Sequence, residues 1–271
     1  MPELPEVETT CRGIRPPIIG QILKKLIIRE SRLRWPVSGD WINVIAGARV
    51  SAVRRRGKYI LIETTTGTLI LHLGMSGSLR ITDPAAPPRK HDHIDLLFSG
   101  ECCLRFHDPR RFGCLCWTDT APDQHPLLIN LGPEPLDDSF TGDYLAKRSL
   151  HRTTAIKSFI MDSRQVVGVG NIYANEALFR AGVVPHRPAG SLTQTGYDRL
   201  ALAIRQVLEA AIAVGGTTLR DFVNAVGTPG YFSQTLNVYD RADQPCRTCG
   251  QAIRLDRLGQ RATYWCPACQ T

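Results

Sequence analysis

No apolar stretch of the 271-residue chain is long enough to cross a bilayer. Runs such as Leu69–Leu73 stop early, where a spanning helix needs about 20 residues. The opening residues, with Pro2, Glu3 and Glu6, carry no apolar signal-peptide core, so secretion is not expected and residence in the cytoplasm is. Internal repeats and low-complexity tracts are missing, and so is a basic amphipathic helix of the kind that lies on a membrane. No βαβ pattern surrounds Gly168-Val169-Gly170, which argues against a dinucleotide-binding loop there.

What is present reads as a globular chain, 43% hydrophobic, with room for two or three domains and a core that needs no disulfides. Lys and Arg outnumber Asp and Glu by 33 to 25, giving a net charge of +8. Such an excess can serve solubility alone. Its placement points further, to a phosphate backbone. Basic residues gather at Arg54, Arg55, Arg56 and Lys58 and at Arg105, Arg110 and Arg111. The final segment carries Arg241, Arg247, Arg254, Arg257 and Arg261 against only Asp243 and Asp256.

Periodicity divides the chain. Val7, Cys11 and Ile14 recur at helical spacing, so residues 3–15 predict a short helix closed by Pro16 and Pro17. Short β-rich runs follow over 21–29, 49–54, 59–64, 68–73, 93–98 and 102–107, which predicts a β-sandwich or barrel. The proline-marked stretch 122–150 reads as a connection. Helical periodicity then predicts helices over 155–161, 172–181, 196–214 and 218–223, and the turn-rich 227–239 reads as a working loop.

Five of the nine cysteines, Cys11, Cys102, Cys103, Cys114 and Cys116, lie among apolar residues and read as buried thiols. The other four form Cys246-x2-Cys249 and Cys266-x2-Cys269 with sixteen residues between, the spacing of a four-thiolate zinc site around a β-hairpin. Two disulfides would be the alternative, which a cytoplasmic chain is not expected to keep. A module this small needs a staple, and four thiolates make a closed site, so the expectation is one structural Zn2+ and no catalytic metal or organic cofactor.

Other motifs are Pro2-Glu-Leu-Pro-Glu-Val-Glu-Thr9, Gly57-Lys58-Tyr59, His72-Leu-Gly-Met-Ser-Gly77 and Lys90-His-Asp-His93. They continue through Asp108-Pro-Arg-Arg-Phe-Gly113, Val167-Gly-Val-Gly-Asn-Ile-Tyr173, Gly230-Tyr-Phe232 and Arg261-Ala-Thr263. With the cysteine quartet, they run nearly end to end. On them the chain resembles the bacterial formamidopyrimidine-DNA glycosylases, the zinc-finger members of the family shared with endonuclease VIII.

The resemblance implies an α+β multidomain fold. An N-terminal helix and β-sandwich over 1–130 would carry catalysis. A helix-two-turn-helix domain over 131–235 and a four-cysteine zinc finger over 236–271 would follow. The implied activity is a bifunctional DNA glycosylase and apurinic/apyrimidinic lyase. It would remove oxidised purines, chiefly 8-oxoguanine opposite C and formamidopyrimidines, as a monomer in a bacterial cytoplasm at the nucleoid. Two other readings stay open: an endonuclease VIII-like enzyme for oxidised pyrimidines, and a non-catalytic zinc-finger protein that binds distorted DNA.

Pro2 by itself reads as a helix-starting residue. A small second residue also permits removal of Met1, leaving a secondary amine that titrates near neutrality and can be nucleophilic. Glu3 and Glu6 lie in the first turn, where acids favour a helix start in any case. The resemblance makes Glu3 the proton-transfer group and Glu6 its support. It makes Lys58 and Arg261 phosphate contacts that assist elimination, Arg261 as a clamp rather than an acid, since guanidinium hardly deprotonates. Met75, Arg110 and Phe112 match residues that fill the vacancy left by an everted nucleotide. Arg111 is expected as a phosphate or structural partner, and Asn171 as a helix cap beside a phosphate. His91 and Lys157 match further backbone contacts, as does Thr153, where relatives often have a basic residue.

Overall fold

The computed structural model describes residues 1–37, 39–216 and 236–271. The helix expected over 218–223, the Gly230-Tyr231-Phe232 motif and most of the 227–239 loop lie outside the described residues. Among those described, two compact units form: Met1–Ile129 with 214–216, and Asn130–Ala213 with 236–271.

The first unit begins with α1 (Leu4–Ile18). Val7, Cys11, Ile14 and Ile18 recur every three or four residues and are fully buried. Pro16 and Pro17 do not end this helix, as the sequence alone predicted, but sit inside its last turn. Their missing N–H groups cost hydrogen bonds only there, and the burial of Ile14 and Ile18 on either side holds the turn closed.

Eight strands follow: β1 (Leu23–Ile28), β2 (Val50–Arg56), β3 (Tyr59–Thr64), β4 (Gly67–His72), β5 (Ser78–Thr82), β6 (Asp92–Phe98), β7 (Cys103–His107) and β8 (Cys114–Thr118). They form two antiparallel sheets, ordered β1-β6-β7-β5 and β2-β3-β4-β8. One core joins them, with Ile60, Ile62, Leu69, Leu71 and Leu115 from one sheet, Leu26, Leu79, Ile94, Leu104 and Phe106 from the other, and the buried stripe of α1. This is a sandwich rather than a closed barrel. β5 and β8, five residues each, escape the sequence reading because each is too short to show a period and starts within a few residues of a glycine turn. A one-turn helix, α2 (Trp41–Val44), bridges β1 and β2.

The second unit is helical: α3 (Gly142–Ser149), α4 (Ile156–Met161), α5 (Asn171–Ala181) and α6 (Gln194–Ala213), followed by the hairpin β9 (Arg254–Leu258) and β10 (Arg261–Trp265). α3 lies within the stretch read from sequence as a connection, and Thr141 Oγ1 caps it by accepting from Tyr144 N at 3.1 Å. α5 ends on Gly182 in the left-handed region, φ 69°, whose N–H returns to Leu178 and Phe179 carbonyls.

On the first unit's β6 and β7, Arg105 is fully buried and donates twice to Asp95, at 2.8 and 2.9 Å, while Arg29 reaches the same carboxylate. Burial alone would raise the Asp95 carboxyl, but Arg29 and Arg105 hold it below the usual range. Arg105 also donates to the Ala86 and Pro87 carbonyls, so the pair pins the loop between β5 and β6. Replacing one member strands the other charge in the core. Asp95→Asn is expected to lower stability by about 3–5 kcal/mol in urea unfolding. Because the folded pKa of Asp95 is depressed, its contribution is complete above the unfolded value and fades as pH falls through the folded one. Acid-unfolding curves of the variant should therefore lose part of the slope below about pH 4.

Candidate active site

The first turn of α1 is a capping box. Glu3 is the N-cap, and its side chain accepts from the Glu6 backbone, while Glu6 Oε2 accepts Glu3 N at 2.8 Å. Pro2 is buried, and Glu3 and Glu6 are only 2% and 3% exposed. The Glu6 carboxylate therefore serves the main chain of the turn that carries Pro2 and Glu3. Gly216 closes over it: a Cβ there would stand 3.0 Å from Glu6 Oε1.

Lys58 occupies the two-residue turn between β2 and β3, where Arg56 pairs with Tyr59. Gly57, first in that turn, takes φ 57°, the conformation that lets a tight hairpin follow the twist of its strands. Across the sheet, Tyr59 pairs with His72 and His72 with Cys114. The Tyr59 and His72 rings stand 4.9 Å apart. His72 Nδ1 accepts from Gly74 N at 2.9 Å, so the neutral ring carries its proton on Nε2, a donor suited to an anion. Burial first, then the positive charges of Lys58 and Arg34, push the His72 pKa down to about 4. Sequence reasoning missed His72 as a site residue; a histidine ending a strand just before a glycine turn was the available signal.

Met75 follows in the turn from β4 to β5 and is half-buried. Gly74, φ 67°, sits where a Cβ would come within 2.5 Å of the Phe112 carbonyl carbon and the Gly113 nitrogen, so the turns carrying Met75 and Phe112 abut. The second turn is braced by Asp108, whose Oδ2 accepts Gly113 N at 2.7 Å and whose carbonyl takes Arg111 N at 3.2 Å. Phe112 is 43% exposed, with the Arg110 guanidinium 4.9 Å over its ring. An aromatic held outward beside a cation is not packing the core. Arg111 takes φ 56° and bonds Glu30 at 3.3 Å, a structural contact. His91, half-buried with φ 73°, fixes the same turn by accepting Asp108 N at 3.0 Å. Next to Met75, Ser76 Oγ is buried without a hydrogen-bond partner among the described residues, a feature with no signal along the chain.

In the second unit, Thr153 is exposed. Lys157 is 1% exposed, and its Nζ donates to the Ala262 carbonyl at 2.7 Å and Thr263 Oγ1 at 2.8 Å. An ammonium desolvated by the helix packing finds its acceptors on β10, next to Arg261. Asn171 is not the cap expected of it: Gly170 is the N-cap, Asn171 is the first helical residue, and its buried Oδ1 has no hydrogen-bond partner among the described residues. Arg261 is exposed at the start of β10, after a turn whose Gly259 takes φ 56°. Lys58 and Arg261 are thus both presented by tight hairpins with glycine first. Glu176, also missed from sequence, accepts from Val238 N and Tyr239 N at 2.9 Å and twice from Asn237, tying α5 to the chain that enters the finger.

The Sγ atoms of Cys246, Cys249, Cys266 and Cys269 lie within 4.8 Å of one another, with contacts of 3.9 and 3.5 Å. A tetrahedral zinc with Zn–S of about 2.3 Å needs sulfurs about 3.8 Å apart, so the four thiolates fit it, with no position left for a substrate.

Two outcomes are expected. Metal analysis should find one zinc per chain, and chelation should unfold the finger hairpin and release DNA while the sheet signal of the first unit persists in circular dichroism. Nitrogen-detected NMR should show His72 as the neutral Nε2–H tautomer down to about pH 5, titrating near 4. The unfolded chain takes up this proton at about 6.5. His72 therefore makes stability fall as pH drops from there towards 4.

Family models match in chain order: the formamidopyrimidine-DNA glycosylase N-terminal domain over residues 1–115, the H2TH domain of that glycosylase over 131–223, and the zinc finger found in FPG and IleRS over 243–271. The chain is 63% identical over 270 residues to the formamidopyrimidine-DNA glycosylase of Methylococcus capsulatus and 55% identical over 276 residues to that of Alkalilimnicola ehrlichii, covering all of both. It is similar to the crystal structure of the MutM (Fpg) protein of Thermus thermophilus, at 39% identity and a TM-score of 0.89, covering 99% of this chain and 98% of that one. It is also similar to Lactococcus lactis Fpg in complex with DNA containing an abasic site, at 31% identity and a TM-score of 0.90, covering 99% of each chain. Sandwich, helical domain, four-thiolate finger and these matches agree, and the chain belongs to the zinc-finger formamidopyrimidine-DNA glycosylases, the base-excision repair enzymes that are both DNA glycosylases and AP lyases.

Proposed function

We propose that this enzyme excises oxidised purines, chiefly 8-oxoguanine opposite C and formamidopyrimidines, from duplex DNA at the bacterial nucleoid, using the amine of Pro2. The observation that carries the reading is the capping-box turn, in which buried Pro2 is followed by the buried N-cap Glu3. Once Met1 is removed, the Pro2 lone pair attacks C1′, and the glycosidic bond breaks with its electrons leaving on the base. Glu3 supplies a proton to the sugar ring oxygen as the ring opens, and an iminium forms between C1′ and the Pro2 nitrogen. The iminium acidifies the C2′ proton. Its loss expels the 3′ phosphate, and a further elimination expels the 5′ phosphate. Glu6 supports the turn.

Division of labour follows the chain. Residues 1–130 carry the chemistry, with Lys58 and His72 supplying N–H donors for a phosphate beside the lesion. Met75, Arg110 and Phe112, on abutting turns, fill the vacancy left by the everted nucleotide, Arg110 offering donors to the orphaned cytosine. Residues 131–235 and the finger over 236–271 hold the backbone through Asn171 and Arg261, with Thr153 nearby and Lys157 bracing the strand that bears Arg261. Zinc shapes that strand's hairpin and takes no part in the chemistry.

Borohydride reduction during incubation with 8-oxoguanine, thymine-glycol or abasic duplexes tests this. A covalent adduct is expected, and it should vanish in Pro2→Gly. Base release should be fastest from 8-oxoguanine opposite C; faster release of thymine glycol would favour the oxidised-pyrimidine reading. Mass spectrometry of active protein should find Met1 removed, because an acylated Pro2 nitrogen has no usable lone pair.

A further inference from the structure

The loop after β1 carries Arg29, Arg32 and Arg34, and Arg111 lies against it. Three of these four have carboxylates: Arg29 on Asp95, Arg32 on Glu30 at 2.7 Å and Arg111 on Glu30 at 3.3 Å. Arg34 is exposed and has no carboxylate partner among the described residues.

Its backbone is nevertheless fixed. Leu33 and Val37, at 6% and 2% exposure, are buried in the sandwich core, and Arg34 N donates to the Gly113 carbonyl at 3.1 Å. Gly113 immediately precedes Cys114, which pairs with His72, which pairs with Tyr59, the neighbour of Lys58. The anchor thus stations Arg34 at the end of the row Tyr59–His72–Cys114, and its positive charge is felt at all three residues. A guanidinium, an ammonium and an imidazole N–H are held around one patch. Donors of positive character converging on one patch favour an anion there.

We propose that Arg34 is a further phosphate-binding residue of the first unit, clamping a DNA backbone phosphate at the patch formed with Lys58 and His72. The ligand is a phosphodiester: a guanidinium offers paired donors matched to its two free oxygens. The inference rests on the reading of Lys58 as a phosphate contact, and the experiment separates the two.

Binding of a duplex containing a tetrahydrofuran abasic analogue, which cannot be turned over, is followed by fluorescence anisotropy across a potassium chloride series. Each phosphate contact contributes about 0.9 to the slope of log Kobs against log salt concentration. Arg34→Gln and Lys58→Gln should each make the slope shallower by about 0.9, whereas Arg34→Lys should keep it. A shallower slope in Lys58→Gln with no change in Arg34→Gln overturns the role of Arg34 and leaves that of Lys58 standing. No change in either overturns both. Weaker binding by Arg34→Gln with an unchanged slope and a lowered Tm assigns Arg34 to loop structure and also overturns the proposal.

Discussion

The hydrogen bond from Glu3 N–H to the Glu6 carboxylate lies inside the first turn of a buried helix, at the place where a polypeptide chain is usually least ordered. The proposed nucleophile, the main-chain nitrogen of Pro2, has no side-chain rotamer to aim it. Only the position of the chain end does so. α1 meets that demand by sending Val7, Cys11, Ile14 and Ile18 into the core shared by both sheets. The capping box then holds the last free turn, and Gly216 covers it. Both acids of the turn bond its backbone, Glu6 to Glu3 N and Glu3 to the Glu6 backbone, and Glu3 is also the chain neighbour of the proposed nucleophile.

Electrostatics divides the basic residues into two groups. Arg105 and Arg29 share Asp95, and Arg80 with His107 holds the equally buried Asp92. These arginines complete the fold and are unavailable to a ligand. Arg34, Arg110 and Arg261 are exposed and have no carboxylate partner among the described residues. Part of the net charge of +8 is thus left exposed at these turns. His72 belongs to the second group although it is uncharged. Burial and its cationic neighbours keep it a neutral N–H donor over the pH range in which a repair enzyme works.

In the second unit, Lys157 is the counterpart of these internal pairs. Its ammonium reaches across from α4 to two acceptors on β10, and Asn175 of α5 accepts from Tyr264 N at 2.9 Å. The strand that begins at Arg261 is thus held from below by two helices and at its end by Cys266. A hairpin of five-residue strands has no core of its own, so zinc and these polar struts together set where Arg261 points.

From the sequence alone came those features that depend on neighbours along the chain. The α1 stripe, six of the eight sandwich strands and three helices show as local periodicity, and the finger hairpin follows from the spacing of the cysteine pairs. Cys-x2-Cys spacing and the Pro2-Glu3 start are likewise local and need no partner to be read. Tertiary structure decided what depends on distant partners. β5 and β8 are strands because β7 and β4 offer them edges, and α1 runs through Pro16 and Pro17 because the core holds its last turn. Lys157 bonds β10, because its acceptors stand 105 and 106 residues further on. Arg34 looks in sequence like any loop arginine. It is the fold that pairs its neighbours with acids, leaves it without one among the described residues and brings it to the strand row where His72 stands, because charge compensation is settled in space and not along the chain.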